Sequence, residues 1–422
     1  MDYLLSEEQE KLKETACQFL EKECPETVIR ETREEDQGYS PQLWSKIADL
    51  KWLGLVFPEK YEGTDRSLLD LAVLYEEMGR VIFPSPHLST VVLCGLTILS
   101  AGSEEQKAEL LPRIAKGDLI LALALAEPES SWDGNAWDAQ GITVQAAADG
   151  DHYVINGTKL FVHDAHVADY VLCAARTKDS GQPEHGITLF LVDTKSPGVE
   201  CTLLNTTAYD KPGEVVFNQV EVPKENIVGE VNKGWGPLAR VLQIGAVMLC
   251  AQMVGSSQKA LELAVDHAKT RIQFDMPIGI NQYIQGHCID VLWYTETSRW
   301  LTYQAAWKLS EELPCDMEVA MAKAWTSEAH EKACWHAHQV LAGVGYTSQK
   351  GVMTLYSMKG KTLQHYLGDT SFHLNKVAHE VEKWTAPEKP RGKPLGYWDI
   401  PAEEQIPAWE PWQELRKGKK TW

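Results

Sequence analysis

"DHYVINGTKLFV" (residues 151–162) alternates apolar and polar side chains on either side of Asn156-Gly157. A period of two lines up apolar groups on one face of a strand, and Asn-Gly between two such runs is a strong short hairpin signal. The stretch therefore predicts two strands joined by a tight turn. Short apolar runs follow in "DYVLCAAR", "GITLFLVD" and "GEVVFNQVEVP". Residues 120–225 read as a β domain.

On both sides of it the period changes to that of helices. In residues 1–119, "SEEQ" (Ser6 to Gln9) has the spacing of a capping box, and Leu12, Ala16, Phe19 and Leu20 follow at helical intervals. "LLDLAVLYEEMGRVI" and "VVLCGLTILSAG" are apolar enough for buried helices, and "GSEEQKAELLPRIAKGD" adds a charged, capped one. After "NKGWGPLARVL", Val254, Leu261, Val265 and Ala268 share one face. "DVLWYTETSRWLTYQAAWKLSEEL" and "MEVAMAKAWTSEAHEKACWHAHQVL" are long and amphipathic. Residues 226–385 thus predict a four-helix bundle. Residues 386–422 hold six prolines and four tryptophans. Disordered tails are poor in aromatics, so this reads as an arm laid on a surface.

The chain has 422 residues and a formal net charge of −20. That balance disfavours nucleic acid and anionic membranes as general partners. No basic stretch followed by an apolar run opens the sequence, and no apolar run approaches the ~20 residues that span a bilayer. Nine cysteines are scattered without a CxxC pair. They read as reduced, mostly buried thiols of a cytoplasmic protein, and no metal is expected.

Four motifs, in order, resemble the acyl-CoA dehydrogenases. "RIQFDMPIGINQ" (271–282) resembles the family's Arg-x-x-Phe-Gly-x-Pro-Ile-Gly-x-x-Gln segment, and "QVLAGVGYT" (339–347) its Gln-x-x-Gly-Gly-x-Gly segment. "ALAEP" (124–128) is similar to the strand end that backs the flavin, and "INGTKLFV" (155–162) to the hairpin that precedes the flavin-ring contacts. The resemblance, running to about residue 385, implies an α+β fold: N-terminal helical domain, middle β-barrel, C-terminal four-helix bundle. It also implies FAD bound at a subunit interface of a homotetramer or heterotetramer. The activity implied is oxidation of an acyl-CoA thioester between Cα and Cβ, with electrons passed to an electron-transferring flavoprotein. The cofactor does the redox chemistry; the protein supplies a base and donors to the thioester oxygen.

Residue by residue, the resemblance gives Arg271 to the FAD diphosphate, which its fork of donors suits. Phe274 and Gln282 belong to the same segment. Gln339, Gly343 and Gly345 match the loop that holds a neighbouring subunit's FAD, glycine permitting close backbone approach. Leu125 and Ala126 offer backbone groups to the flavin edge, Phe161 lies against the ring, and His163 stands where a hydroxyl contacts flavin N5.

The departures lie in "YLGDTS" (366–371), where Leu367 occupies the place of the catalytic glutamate. Some relatives carry the base on the first bundle helix, near Gly245 here, yet Gly234 to Leu261 contains no acid. Others use an aspartate in the N-terminal domain; the matching stretch offers only His87 and Cys94 as titratable groups. The candidate bases are His87, then His163 and Asp369. Ser89, Gly245 and Leu367 are expected in a substrate pocket for a bulky or alicyclic acyl group. A base-deficient subunit of a heteromer, and a non-redox CoA-ester lyase or hydratase, remain as alternatives.

Overall fold

The computed structural model describes residues 5–131, 134–208, 210–347 and 351–383. The arm expected at 386–422 lies outside them. Helices α1 (Glu7–Glu23), α2 (Glu26–Glu34), α3 (Pro41–Asp49) and α4 (Leu68–Arg80) come first. A π-helical segment, Leu88–Gly95, runs into α5 (Leu96–Ala101), and α6 (Glu104–Lys116) follows. Ser6, Ser67 and Ser103 close reciprocal capping boxes at the starts of α1, α4 and α6, so these boundaries are set by local chemistry.

Eight strands follow: β1 (Leu121–Ala124), β2 (Gln145–Asp149), β3 (His152–His163), β4 (Tyr170–Arg176), β5 (Ile187–Asp193), β6 (Val199–Leu203), β7 (Pro212–Pro223) and β8 (Ile227–Val228). They form one sheet in the order β6-β7-β3-β2-β4-β5-β8, with β1 parallel on β4. The expected hairpin at Asn156-Gly157 is not there. β3 runs straight through it, and the β2–β3 turn is Gly150-Asp151, closed by the Asp149–His152 pair. Gly157 instead marks a bulge against β7, with φ +141°. A Cβ there would come within 2.7 Å of Val144 Cγ2, which is why glycine is needed. Asn156 Oδ1 accepts from Gln219 N across the bulge (2.8 Å).

Lys159, on β3, and Glu127, just past β1, are both wholly buried and paired at 2.6 Å. The Glu127 carboxylate also accepts from Thr143 N (2.9 Å), Thr143 Oγ1 (2.5 Å) and Val144 N (3.1 Å). Lys159 Nζ donates as well to Leu125 O (3.0 Å).

The bundle begins with α7 (Trp235–Thr270). A small hairpin, β9 (Ile272–Gln273) and β10 (Met276–Pro277), leads to α8 (Gln282–Ser310), α9 (Asp316–Leu341), the short α10 (Gly343–Tyr346), α11 (Val352–His365) and α12 (Thr370–Glu382). Contrary to the expectation that no run suffices, α7 is long and apolar enough to cross a membrane, with a window of mean hydropathy 1.5; 78% of that window is buried inside the protein. Its apolar character serves the core. Residues through Ala378 form one compact unit with a main hydrophobic core that draws on residues from Ala16 to Phe372 and a second cluster in the bundle around Ala264, Val291, Ala337 and Met353. All nine cysteines are free and most are buried.

The turn after α11 is heavily bonded. Lys323 Nζ, buried on α9, donates to Gln364 O and Gly368 O, both at 2.8 Å. His373 Nε2 donates to Leu367 O (3.0 Å). Leu367 sits at φ +60° with its side chain buried. Gly245 was expected to widen a pocket; its space is filled. A Cβ at 245 would lie 2.7 Å from Leu367 Cδ1 and 2.8 Å from Leu93 Cδ2.

Two stability tests follow from this packing. Gly245→Ala overpacks the contact and is expected to lower the unfolding free energy by about 1–3 kcal/mol. Adding Leu367→Ala should recover part of that, read as a coupling energy in a denaturation cycle. Lys159→Met leaves Glu127 charged in a dry site and is expected to cost about 3–5 kcal/mol. A melting temperature equal to that of the unaltered protein would show that the pair adds nothing.

Candidate active site

A cavity of about 90 Å³ opens between the π-helical segment, the end of β3 and α11. Ser89, His163, Asp164, Asp210, Lys359 and Tyr366 are among its polar lining, with Leu88, Leu249, Leu355 and Leu363 as apolar wall. Two backbone irregularities put them there. The π-helical turns are wider than α turns and recur at functional sites. At the end of β3 a second bulge separates Lys159 from Val162, and Phe161 (φ +51°) and Asp164 (φ +62°) are left-handed. Non-glycine residues in that region are strained and concentrate at functional sites. Consecutive residues His163 and Asp164 thereby both line the cavity.

Ser89 Oγ lies 2.5 Å from Asp164 Oδ2. Among the described residues no hydrogen bond reaches Asp164 Oδ1. Burial pushes the Asp164 carboxyl up to about 6, against the opposing pull of Ser89 and Lys359. The His163 ring lies 4.3 Å from that of Tyr366, which also makes an edge-to-face contact with Trp137 at 5.2 Å. Burial pushes His163 down to about 4, so its imidazole is neutral at ordinary pH. Asp210 is paired with Lys359. Burial alone would raise the Asp210 carboxyl; Lys359 and His163 hold it below its ordinary value.

The other expected site residues divide clearly. Ser89 lines the cavity; Gly245 and Leu367 do not, being packed on each other. His87 is not placed to act as a base. Its Nε2 faces Trp52 O (3.3 Å), which only accepts, so Nε2 carries the proton and Nδ1 accepts from Tyr75 Oη (2.8 Å). Both nitrogens are occupied, and burial pushes His87 down to about 4. Asp369 is a helix cap: its Oδ1 accepts from Phe372 N at 2.8 Å in the first turn of α12.

The residues that the resemblance assigns to FAD lie in three places. Leu125 and Ala126 are buried past β1, their carbonyls taken by Lys159 Nζ (3.0 Å) and Leu160 N (2.9 Å). Phe161, nearby on β3, is half-exposed. Phe274 and Asp275, both left-handed, make the two-residue turn of the β9–β10 hairpin, and the Phe274 ring is 99% exposed. Arg271 is exposed at the end of α7 and makes no ion pair among the described residues; Gln282 is exposed at the start of α8. Gln339 is exposed on α9, Gly343 borders open space, and Gly345 packs on Leu341 and His338. A bare aromatic ring and an unpaired guanidinium on one short hairpin fit an adenosine diphosphate that covers both. The half-exposed Phe161 above a buried, bonded strand end fits one face of a flavin ring. These residues suit FAD.

Sequence reasoning missed Asp164, Tyr366, Lys323 and the Glu127–Lys159 pair. The signal for Asp164 was its position directly after His163 at a strand end.

Models of the acyl-CoA dehydrogenase N-terminal, middle and C-terminal domains match residues 6–118, 122–220 and 232–382. The chain is 34% identical over 337 residues to cyclohex-1-ene-1-carbonyl-CoA dehydrogenase of Geobacter metallireducens, covering 78% of this chain and 86% of that protein. It is 32% identical over 361 residues to the caffeyl-CoA reductase-Etf complex subunit CarC of Acetobacterium woodii, covering 83% and 92%. The structure of butyryl-CoA dehydrogenase from Megasphaera elsdenii superposes with a TM-score of 0.83 at 29% identity, over 90% of this chain and 100% of that one. The chain belongs to the acyl-CoA dehydrogenase family, and it is a flavoenzyme whose cofactor is FAD.

Proposed function

We propose that this protein oxidises an acyl-CoA thioester between Cα and Cβ, with Asp164 as the base that takes the α-proton. The observation that carries the reading is a cavity-lining carboxylate with one oxygen held by Ser89 and the other without a hydrogen bond among the described residues. Bound FAD would supply the acceptor for the β-hydrogen, which leaves as hydride. The residues of this chain handle the proton and the orientation. Asp164 Oδ1 takes the proton from Cα, the electron pair of that C–H bond becomes the new Cα–Cβ π bond, and Ser89 steadies the carboxyl through Oδ2. A carboxyl near 6 is a stronger base than an ordinary aspartate and is still ionised at neutral pH. His163, neutral, has an N–H for a thioester oxygen, and Tyr366 holds its ring in place.

The cyclohex-1-ene-1-carbonyl-CoA dehydrogenase relative supports a bulky or alicyclic acyl group. The Etf-complex relative supports an electron-transferring flavoprotein as acceptor. Tyr283, Ile289, Trp293, Trp300 and Trp335 leave large apolar groups exposed on α8 and α9, which supports a homotetramer or heterotetramer built through the bundle.

The test is anaerobic mixing of the FAD-loaded chain with a panel of acyl-CoA esters, following flavin absorbance and thioester mass. Bleaching with loss of two hydrogens from the acyl group is expected. Asp164→Asn should slow bleaching by about 10²–10⁴-fold. In the unaltered enzyme kcat/KM should rise with pH through about 6 and then level, because the base works ionised. An Asp164→Asn enzyme that bleaches at the unaltered rate sinks the assignment. A mass change by water, or a split acyl chain, without bleaching moves the enzyme to the non-redox class.

A further inference from the structure

We propose that His287, Asp290 and His336 form a binding site for a divalent first-row transition-metal ion, joining α8 to α9. His287 and Asp290 are three apart on α8 and so share a face, and His336 comes from α9 opposite. His287 Nδ1 lies 2.8 Å from His336 Nδ1, and Asp290 Oδ2 lies 3.4 Å from the same His336 nitrogen. The three donor atoms all fall within 4.8 Å of one another.

Without a cation this arrangement is poorly compensated. Two rings present the same nitrogen to each other, so only one of them can hold a proton there. If His287 accepts at Nδ1, its proton sits on Nε2, which is buried and unpartnered among the described residues. If His287 donates instead, its Nε2 lone pair is stranded, and His336 turns a lone pair towards the Asp290 carboxylate. Either tautomer strands a buried polar atom or opposes two lone pairs. A cation takes both Nδ1 lone pairs and the Asp290 oxygen at once, which ends the conflict between the two Nδ1 groups; the His287 Nε2–H has no partner among the described residues in either case.

The rings are also held in place before any ion arrives. Tyr283 packs edge-on to His287 at 4.6 Å, and Trp335 edge-on to His336 at 4.8 Å. Two imidazole nitrogens and one carboxylate oxygen suit zinc and its first-row neighbours. Three protein ligands, with Asp290 exposed, leave a coordination position for water. None of the three residues lines the cavity that holds Asp164. The site is therefore a structural cross-link between helices, outside the cavity of the α-proton step and in a pocket that it shares with Gln282 of the FAD-side segment.

The experiment titrates Zn²⁺ into the full FAD-loaded chain, stripped with chelator, by isothermal calorimetry. One ion per chain is expected, with a rise in melting temperature. Asp290 is exposed, and glutamine keeps a polar side chain of similar size at the mostly buried His336, so both Asp290→Asn and His336→Gln should fold and keep FAD. His336→Gln is expected to abolish the saturable binding, and Asp290→Asn to weaken it at least about tenfold. No saturable heat in the unaltered chain overturns the proposal. So does binding of equal stoichiometry and affinity in both variants, which would place the ion on the cysteines or elsewhere.

Discussion

The Glu127–Lys159 ion pair fixes the part of the sheet on which the flavin-side residues stand. Charges this deep survive only when every lone pair and proton is satisfied. Here one carboxylate gathers the Lys159 ammonium, the Thr143 hydroxyl and two amides from the start of β2, while the ammonium reaches Leu125 O. One knot thus sets the end of β1, the entry to β2 and the register of β3. Leu125 and Ala126 lie directly before it, and Phe161, His163 and Asp164 directly after it along β3. A slip of one residue at Lys159 would turn Lys159 itself away from Glu127, because side chains alternate along a strand, and would displace the bulge that brings both His163 and Asp164 to the cavity.

The opposite wall follows a different logic. The turn at 366–369 carries no ionisable group towards the cavity except the Tyr366 phenol; its carbonyls are collected by Lys323 and His373, and its one acid caps α12. One buried lysine and one neutral imidazole hold the backbone, and a hydrocarbon side chain fills the space beside α7. The carboxylate that remains at the cavity comes from the sheet side.

What the sequence revealed was what local patterns encode. Helical periodicity, serine capping boxes and the change of texture near residue 120 located helices, sheet and bundle, since each depends on neighbours within a few residues. Asn156-Gly157 misled because a hairpin turn and a β-bulge ask the same thing of glycine, freedom at positive φ; only Val144 and Gln219, from other strands, distinguish them. His87 looked like a base because a free imidazole titrates near neutrality, but Tyr75 and Trp52 occupy both its nitrogens. Asp164 was passed over for the converse reason. Its ordinary pKa is unremarked in sequence, and the partner that orients it, Ser89, lies 75 residues earlier.

The contact between Gly245 and Leu367 also bears on ancestry. A longer side chain at 245 has no room until residue 367 has shrunk, and a smaller residue at 367 leaves a hole beside Leu93 until 245 has grown. Each single step is worse than either endpoint. The two positions are coupled through packing: a Cβ at 245 meets Leu367 Cδ1 and Leu93 Cδ2 alike, so a change at either position is felt at the other. A chain that has settled on Leu367 and Gly245 is held there by packing, whatever base its chemistry uses.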